Sequence, residues 1–101
     1  MNESQTLPAI ELATKIIASP DVLGAELGSE TSLLNVKTGI YFTLNPVGAS
    51  VWRKLQAGNT LAEINRLLLE EYEVEPQRCE DDLKQLVGEL HSLGLVEFVD
   101  A

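Results

Sequence analysis

The chain has 101 residues, of which 45% are hydrophobic, and a formal net charge of -9 at pH 7. This length allows one domain with a modest core, and the hydrophobic fraction is ordinary for a folded protein. The negative charge disfavours binding to nucleic acid or anionic lipid, since both require a positive surface, and it suits a basic or polar peptide partner. The single Cys79 and single His91 exclude an internal disulfide and a zinc ligand set.

The N-terminal segment has no feature of a targeting signal. Met1 to Thr6 is polar and acidic, with no basic flank before an apolar run, which argues against a signal peptide. No apolar run approaches the roughly 20 residues that a membrane span needs. We therefore predict a cytoplasmic protein, with residues 1–14 as a flexible N-terminus and residues 15–101 as a single domain.

The first half of the sequence predicts strands and turns. Lys15 to Ala18 is a short apolar run closed by turn residues. Leu23, Ala25 and Leu27 then alternate on one face, which is the period of a half-buried strand. A further strand over residues 31–36 leads through a tight connection at Gly39 into Ile40–Leu44, the segment most typical of a strand, in which Tyr41 and Thr43 face opposite to the other three residues.

The second half predicts three helices. Asn45 and Pro46 form a typical helix start, and Thr60 with Glu63 has the form of a capping box. The third helix begins at Pro76 and carries one apolar stripe, made of Cys79, Leu83, Leu86, Val87, Leu90 and Leu93. Gly94 is placed to end this helix, and residues 95–99 form either a closing strand or an extended tail. Strands followed by helices indicate an α+β fold.

No set of reactive side chains predicts catalysis, a metal site or a cofactor. Glu80, Asp81 and Asp82 lie near the start of the third helix, where they favour the helix dipole, and successive helical residues fan out too far to converge on a metal. Cys79 falls on the apolar stripe, and its acidic neighbours raise the pKa of its thiol. We predict that the chain is not an enzyme.

The strand Ile40–Leu44 offers a different function. If it ends the sheet, its unpaired N–H and C=O groups form a template for an incoming strand, and a neighbouring helix adds side-chain pockets. The patterning alone leaves open whether this edge is free or covered.

Motifs along most of the chain resemble one family. Leu34-Asn35-Val36-Lys37-Thr38-Gly39 followed by the Tyr41-Phe42 strand, then Gly48 and Val51-Trp52, is similar to the PqqD-like family. Further on, the residues that continue the match over residues 15 to 98 are Thr60 to Ile64, Asp82-Leu83, Leu86, Leu90 and Gly94 to Val96.

The resemblance implies a winged-helix-like fold, with a three-stranded antiparallel sheet followed by three helices. It also implies a recognition element of pathways that modify ribosomally made peptides, in which the leader of a precursor binds as an added strand. Carried onto this sequence, the leader-binding residues are Ile40, Tyr41, Phe42, Thr43 and Leu44 of the strand, with Asp82, Gln85, Leu86, Glu89 and Leu90 of the third helix. From the residues alone, Leu83, Leu86 and Leu90 are either core or groove.

The stand-alone chain and its Leu-Asn-x-x-Thr-Gly motif most resemble the recognition proteins of lasso-peptide biosynthesis, where the partner is a separate leader peptidase or other modifying enzyme. Alternatives are a PqqD-type chaperone that presents a precursor to a radical SAM enzyme, a scaffold that pairs with itself through the same edge, and a winged-helix transcriptional regulator. The last is disfavoured because the third helix offers only Arg78 and Lys84 against its many carboxylates.

Overall fold

The structure is a computed structural model that describes residues 15–28 and 30–99. The expectation for residues 1–14 lies outside this range. The described elements, in chain order, are β1 (Lys15–Ala18), β2 (Val22–Leu27), β3 (Glu30–Asn35), β4 (Tyr41–Leu44), α1 (Pro46–Gln56), α2 (Leu61–Glu71), α3 (Pro76–Ser92) and β5 (Val96–Val99).

Two antiparallel sheets form. The strands β2, β3 and β4 make a three-stranded sheet in that order, and β1 pairs with β5. The α+β prediction of a three-stranded sheet followed by three helices is confirmed. The two-stranded sheet adds to it, because the segment after Gly94 closes as a strand against the start of the domain and does not trail as a tail.

At the start of each helix, a capping side chain accepts a hydrogen bond from a backbone N–H of the first turn. Asn45 Oδ1 accepts from the Gly48 N–H at 2.8 Å, which opens α1. The predicted capping box opens α2, since Thr60 and Glu63 each accept from the other's backbone N–H. Glu75 caps α3 just before Pro76. These caps fix where each helix starts.

The core lies between the helices and one face of the three-stranded sheet, with β1 and β5 closing it. Burying each large aliphatic side chain stabilises the fold by roughly 1.5–3 kcal/mol. Side chains with no exposed surface come from β1, β3, all three helices and the residue before β5: Ile16, Leu33, Ala49, Leu61, Ile64, Val87, Leu90 and Leu95.

The prediction of a half-buried face on β2 is wrong. Leu23 is 63% exposed and Leu27 is 76% exposed, and Ala25 is exposed between them. The helices pack only against the opposite face of the sheet, where Leu33 and Leu44 are buried. Alternation therefore identified the strand correctly, but it could not tell which of its faces meets the core.

Asn35 joins the β3–β4 connection to the end of α3. Its side-chain oxygen accepts from the N–H groups of Lys37 and Thr38, and its amide nitrogen donates to the Gly94 carbonyl at 2.9 Å. The buried Asn35 thus shapes the turn that leads into β4 and fixes that turn against the C-terminus of α3. The asparagine of the Leu-Asn-x-x-Thr-Gly motif therefore supports the turn before β4 from outside the groove described next.

Candidate functional site

The outer edge of β4 is free of strand partners within the described residues. The Asn35 N–H donates to the Ile40 carbonyl at 2.8 Å, which places this pair at a hydrogen-bonded position of the ladder. In an antiparallel ladder, hydrogen-bonded pairs alternate with pairs that are not hydrogen-bonded. By the register, the N–H and C=O groups of Phe42 therefore point toward β3, and those of Tyr41 and Thr43 point away from it. These two residues present the donors and acceptors that an added strand requires.

A groove of about 440 Å³ runs between this edge and α3. Its floor and walls combine strand backbone with helix side chains, so that a chain lying in it would contact both. The lining residues are Phe42, Thr43, Leu44, Asn45, Val47, Gly48, Asp82, Leu86 and Glu89.

The groove continues into a larger cavity of about 510 Å³ between α1, α3 and the α2–α3 connection. Val47, Asp82 and Leu86 line both spaces, so the two form one continuous surface. The cavity is mainly apolar, and its other lining residues are Val51, Leu68, Tyr72, Glu73, Val74, Glu75, Arg78, Cys79 and Leu83.

Carboxylates flank this combined surface. Asp82 and Glu89 lie along the groove on α3, and both are exposed. The Arg78 guanidinium is 3.6 Å from the Asp82 carboxylate, an exposed pair that contributes little to stability and leaves Asp82 accessible. The groove therefore combines an apolar cavity with a negative rim.

The structure brings together six of the ten residues predicted from the sequence: Phe42, Thr43, Leu44, Asp82, Leu86 and Glu89. Tyr41 lies on the same edge but points its side chain outward, where its hydroxyl donates to Ser32 Oγ at 3.1 Å. Ile40 precedes β4, and Gln85 is exposed on α3 outside the groove lining.

Leu90 does not belong to this surface. Its side chain has no exposed surface and packs in the core, as does Leu83, which is 3% exposed. Leu86 alone of the three leucines is half-buried and reaches both the groove and the cavity. Of the three, Leu90 is therefore core, Leu83 is a core residue that also lines the cavity, and Leu86 lines both the cavity and the groove.

Sequence reasoning missed most of the cavity. Val47 is 45% exposed at the start of α1, and Tyr72 and Val74 lie within an acidic run that contains Glu71, Glu73 and Glu75. The available signal was the pair of apolar residues within that run, because an exposed acidic connection has no need of them.

The reactive groups near this surface are held in unreactive states. Burial raises the pKa of the Cys79 thiol, and the Asp82 carboxylate raises it further, so the nucleophilic thiolate is disfavoured. Lys54 Nζ donates to Ser50 Oγ and lies 2.7 Å from the Glu71 carboxylate, so this group is engaged in a hydrogen-bonded ion pair. The Lys54 hydrogen bond in turn lowers the pKa of Glu71.

Among residues 15–28 and 30–99, no group of three or more His, Cys, Asp or Glu side chains is arranged to hold a metal ion. None of the helices in that part of the chain combines the length and apolar character needed to cross a bilayer.

Two solved structures are similar to this chain over most of its length. The first, described as TbiB1 in complex with the TbiA(beta) leader peptide, is 33% identical with a TM-score of 0.79, and the match covers 83% of this chain and 99% of that chain. The second, lasso peptide synthetase B1 complexed with the leader peptide, is 29% identical with a TM-score of 0.76, and the match covers 82% of this chain and 98% of that chain.

No curated protein sequence matches this chain. Residues 30–96, which span both strands of the β3–β4 hairpin and all three helices, match the family described as coenzyme PQQ synthesis protein D. The free strand edge, the groove beside α3 and this match together confirm the resemblance found in the sequence: the chain belongs to the PqqD family.

Proposed function

We propose that this protein is a non-catalytic recognition element that binds the leader peptide of a ribosomally made precursor as an added strand on β4. The single observation that carries the proposal is the free edge of β4, which runs beside a groove that opens into an apolar cavity. Main-chain pairing along the edge would supply affinity, and the cavity would select the side chains that enter it.

The geometry predicts how the leader contacts the protein. Side chains of an added strand alternate, so every second residue of the leader would face α3 and meet Phe42, Leu86 or Val47. An apolar leader side chain beyond the paired segment would fill the cavity. The carboxylates of Asp82 and Glu89 favour a basic leader residue at the rim.

The setting we favour is lasso-peptide biosynthesis, with a separate leader peptidase or other modifying enzyme as the second partner. Both similar structures are leader-peptide complexes, and one of them is a lasso peptide synthetase B1, which supports this choice. The ion-paired Lys54 and the disfavoured thiolate of Cys79 support a role without catalysis. The family name itself supports the alternative of a chaperone that presents its precursor to a radical SAM enzyme in cofactor synthesis.

Titration of a fluorescently labelled cognate leader with the purified protein, followed by anisotropy, tests the proposal. We expect saturable binding of the leader, and no binding of a peptide with the same composition in scrambled order. Absence of saturable binding by the cognate leader would refute the proposal, because the proposed function requires affinity for the leader.

Neutralising the Asp82 carboxylate is expected to weaken leader binding modestly. Asp82→Asn removes one exposed charge at the rim, so we expect a loss of affinity of about two- to fivefold and a shallower dependence on salt. Asp81→Asn is the matched control, since it changes the net charge equally one residue away and Asp81 does not line the groove. Equal effects of the two variants in the same titration would contradict a contact at Asp82.

A further inference from the structure

A polar network joins α1 to the C-terminal end of α2. Ser50 Oγ donates to one oxygen of the Glu71 carboxylate at 3.2 Å. Lys54 Nζ lies 2.7 Å from Ser50 Oγ and 2.7 Å from the other Glu71 oxygen, so each of the three side chains contacts the other two. Ser50 is 3% exposed and the Lys54 side chain 15% exposed, and charge-assisted hydrogen bonds gain strength away from water. We call these three residues the α1–α2 clamp.

The α1–α2 clamp lies beside the apolar cavity and connects two of its walls. On α1, Val47 and Val51 line the cavity, and Ser50 lies between them in the sequence. On α2, Leu68 and Tyr72 line the cavity on either side of Glu71. The clamp residues themselves are not part of the lining. They therefore determine how far apart these walls stand without occupying the space between them.

The end of α2 needs a cation from another element. Glu71 is its last residue, and its last turn contains no basic side chain to offset the negative end of the helix dipole. Lys54 supplies that charge from α1. The other three ion pairs among residues 15–28 and 30–99 each lie within a single helix, so the Lys54–Glu71 pair alone joins two of the described elements.

We propose that Ser50, Lys54 and Glu71 are positioning residues for leader binding, which keep the connection of residues 72–75 at the distance from α1 that a leader side chain in the cavity requires. This inference rests on the proposed function. Tyr72 directly follows Glu71, and its N–H donates to the Leu68 carbonyl at 2.9 Å, so the first residue of the connection follows the end of α2. A wall that is in place only part of the time lowers the apparent affinity by that fraction.

The test compares Glu71→Ala with Glu70→Ala. The two variants make the same truncation and the same change of charge at adjacent residues, but Glu70 pairs only with the exposed Arg66 of its own helix. In the anisotropy titration we expect Glu71→Ala to bind the cognate leader about tenfold more weakly than the wild type, and Glu70→Ala less than about twofold more weakly. Glu71→Gln keeps an oxygen that can accept from Ser50 and Lys54, so it should retain more affinity than Glu71→Ala.

Cys79 provides a second readout that a purely stabilising role would not change. It is the single cysteine of the chain, lines the cavity and is 7% exposed, so its modification by a neutral disulfide reagent reports opening of the cavity. We expect Glu71→Ala to speed this reaction at least about threefold beyond what its unfolding free energy, measured in urea, accounts for. Glu70→Ala should react as the wild type does, and saturating leader should slow the reaction.

Equal leader affinities of Glu71→Ala and Glu70→Ala would overturn the positioning role. A loss of affinity without faster modification of Cys79 would overturn it too, because the wall would not have moved. Failure of the proposed function is seen separately, since the wild-type protein would then not bind the leader at all.

Discussion

Replacing Thr43 by proline is expected to abolish leader binding while the domain stays folded. The Thr43 N–H points away from β3, so its loss removes a donor from the leader and none from the sheet. The proline ring also projects into the space that the added strand would occupy. We expect affinity to fall at least about a hundredfold, which corresponds to roughly 2.7 kcal/mol, in the anisotropy titration with labelled leader.

Glu26→Pro is the control for this change. Glu26 lies on β2, the opposite edge of the same sheet, and its N–H also points away from β3 by the same alternation. Both variants should keep the circular dichroism spectrum of the wild type, and only Thr43→Pro should lose the leader. Normal binding by a folded Thr43→Pro protein would show that the leader does not pair with this edge.

Replacing Val47 by asparagine is expected to weaken leader binding at least about tenfold, because a bound apolar side chain would bury the new amide without a partner. Val47 lines both the groove and the cavity, so it lies where the two meet. It is 45% exposed in the free protein and lies in the first turn of α1, which makes the substitution tolerable for folding.

Ile17→Asn serves as the comparison for Val47→Asn. It places the same amide at a site of similar exposure, 40%, on the two-stranded sheet and outside the lining of the groove and the cavity. Urea unfolding should show similar stability losses in the two variants, whereas the leader titration should separate them. Equal affinities would mean that the cavity takes no part in binding.

The sequence predicted most of the fold because its signals are local. Caps at Asn45 and Thr60, the start of α3 at Pro76 and its end before Gly94 each depend on a few neighbouring residues. Gly94 indeed has a positive φ of 74°. The pairing of β1 with β5 was left open because it joins the two ends of the domain, and no local pattern encodes such a partner.

The sequence predicted best the part of the site that lies on β4. The alternation of β4 correctly placed Phe42 and Leu44 on the face opposite to Tyr41 and Thr43. The apolar stripe of α3 could not separate Leu86 from the buried Leu90, since both lie on it. The cavity needs three elements to meet, so its residues give no common signal in the sequence. The assignment of Leu23 and Leu27 to a half-buried face was wrong for a related reason. Which face of a strand meets the core is decided by elements that are distant in the sequence.

Hydrogen exchange of the backbone amides with and without the cognate leader tests most directly whether the leader pairs with β4. The Phe42 and Leu44 amides already pair with β3, and those of Tyr41 and Thr43 do not. The account predicts that the leader strongly protects the Tyr41 and Thr43 amides and changes those of Gly24 and Glu26, on the opposite edge, little or not at all. Saturable leader binding that leaves Tyr41 and Thr43 unprotected, or that protects the β2 edge, would contradict it.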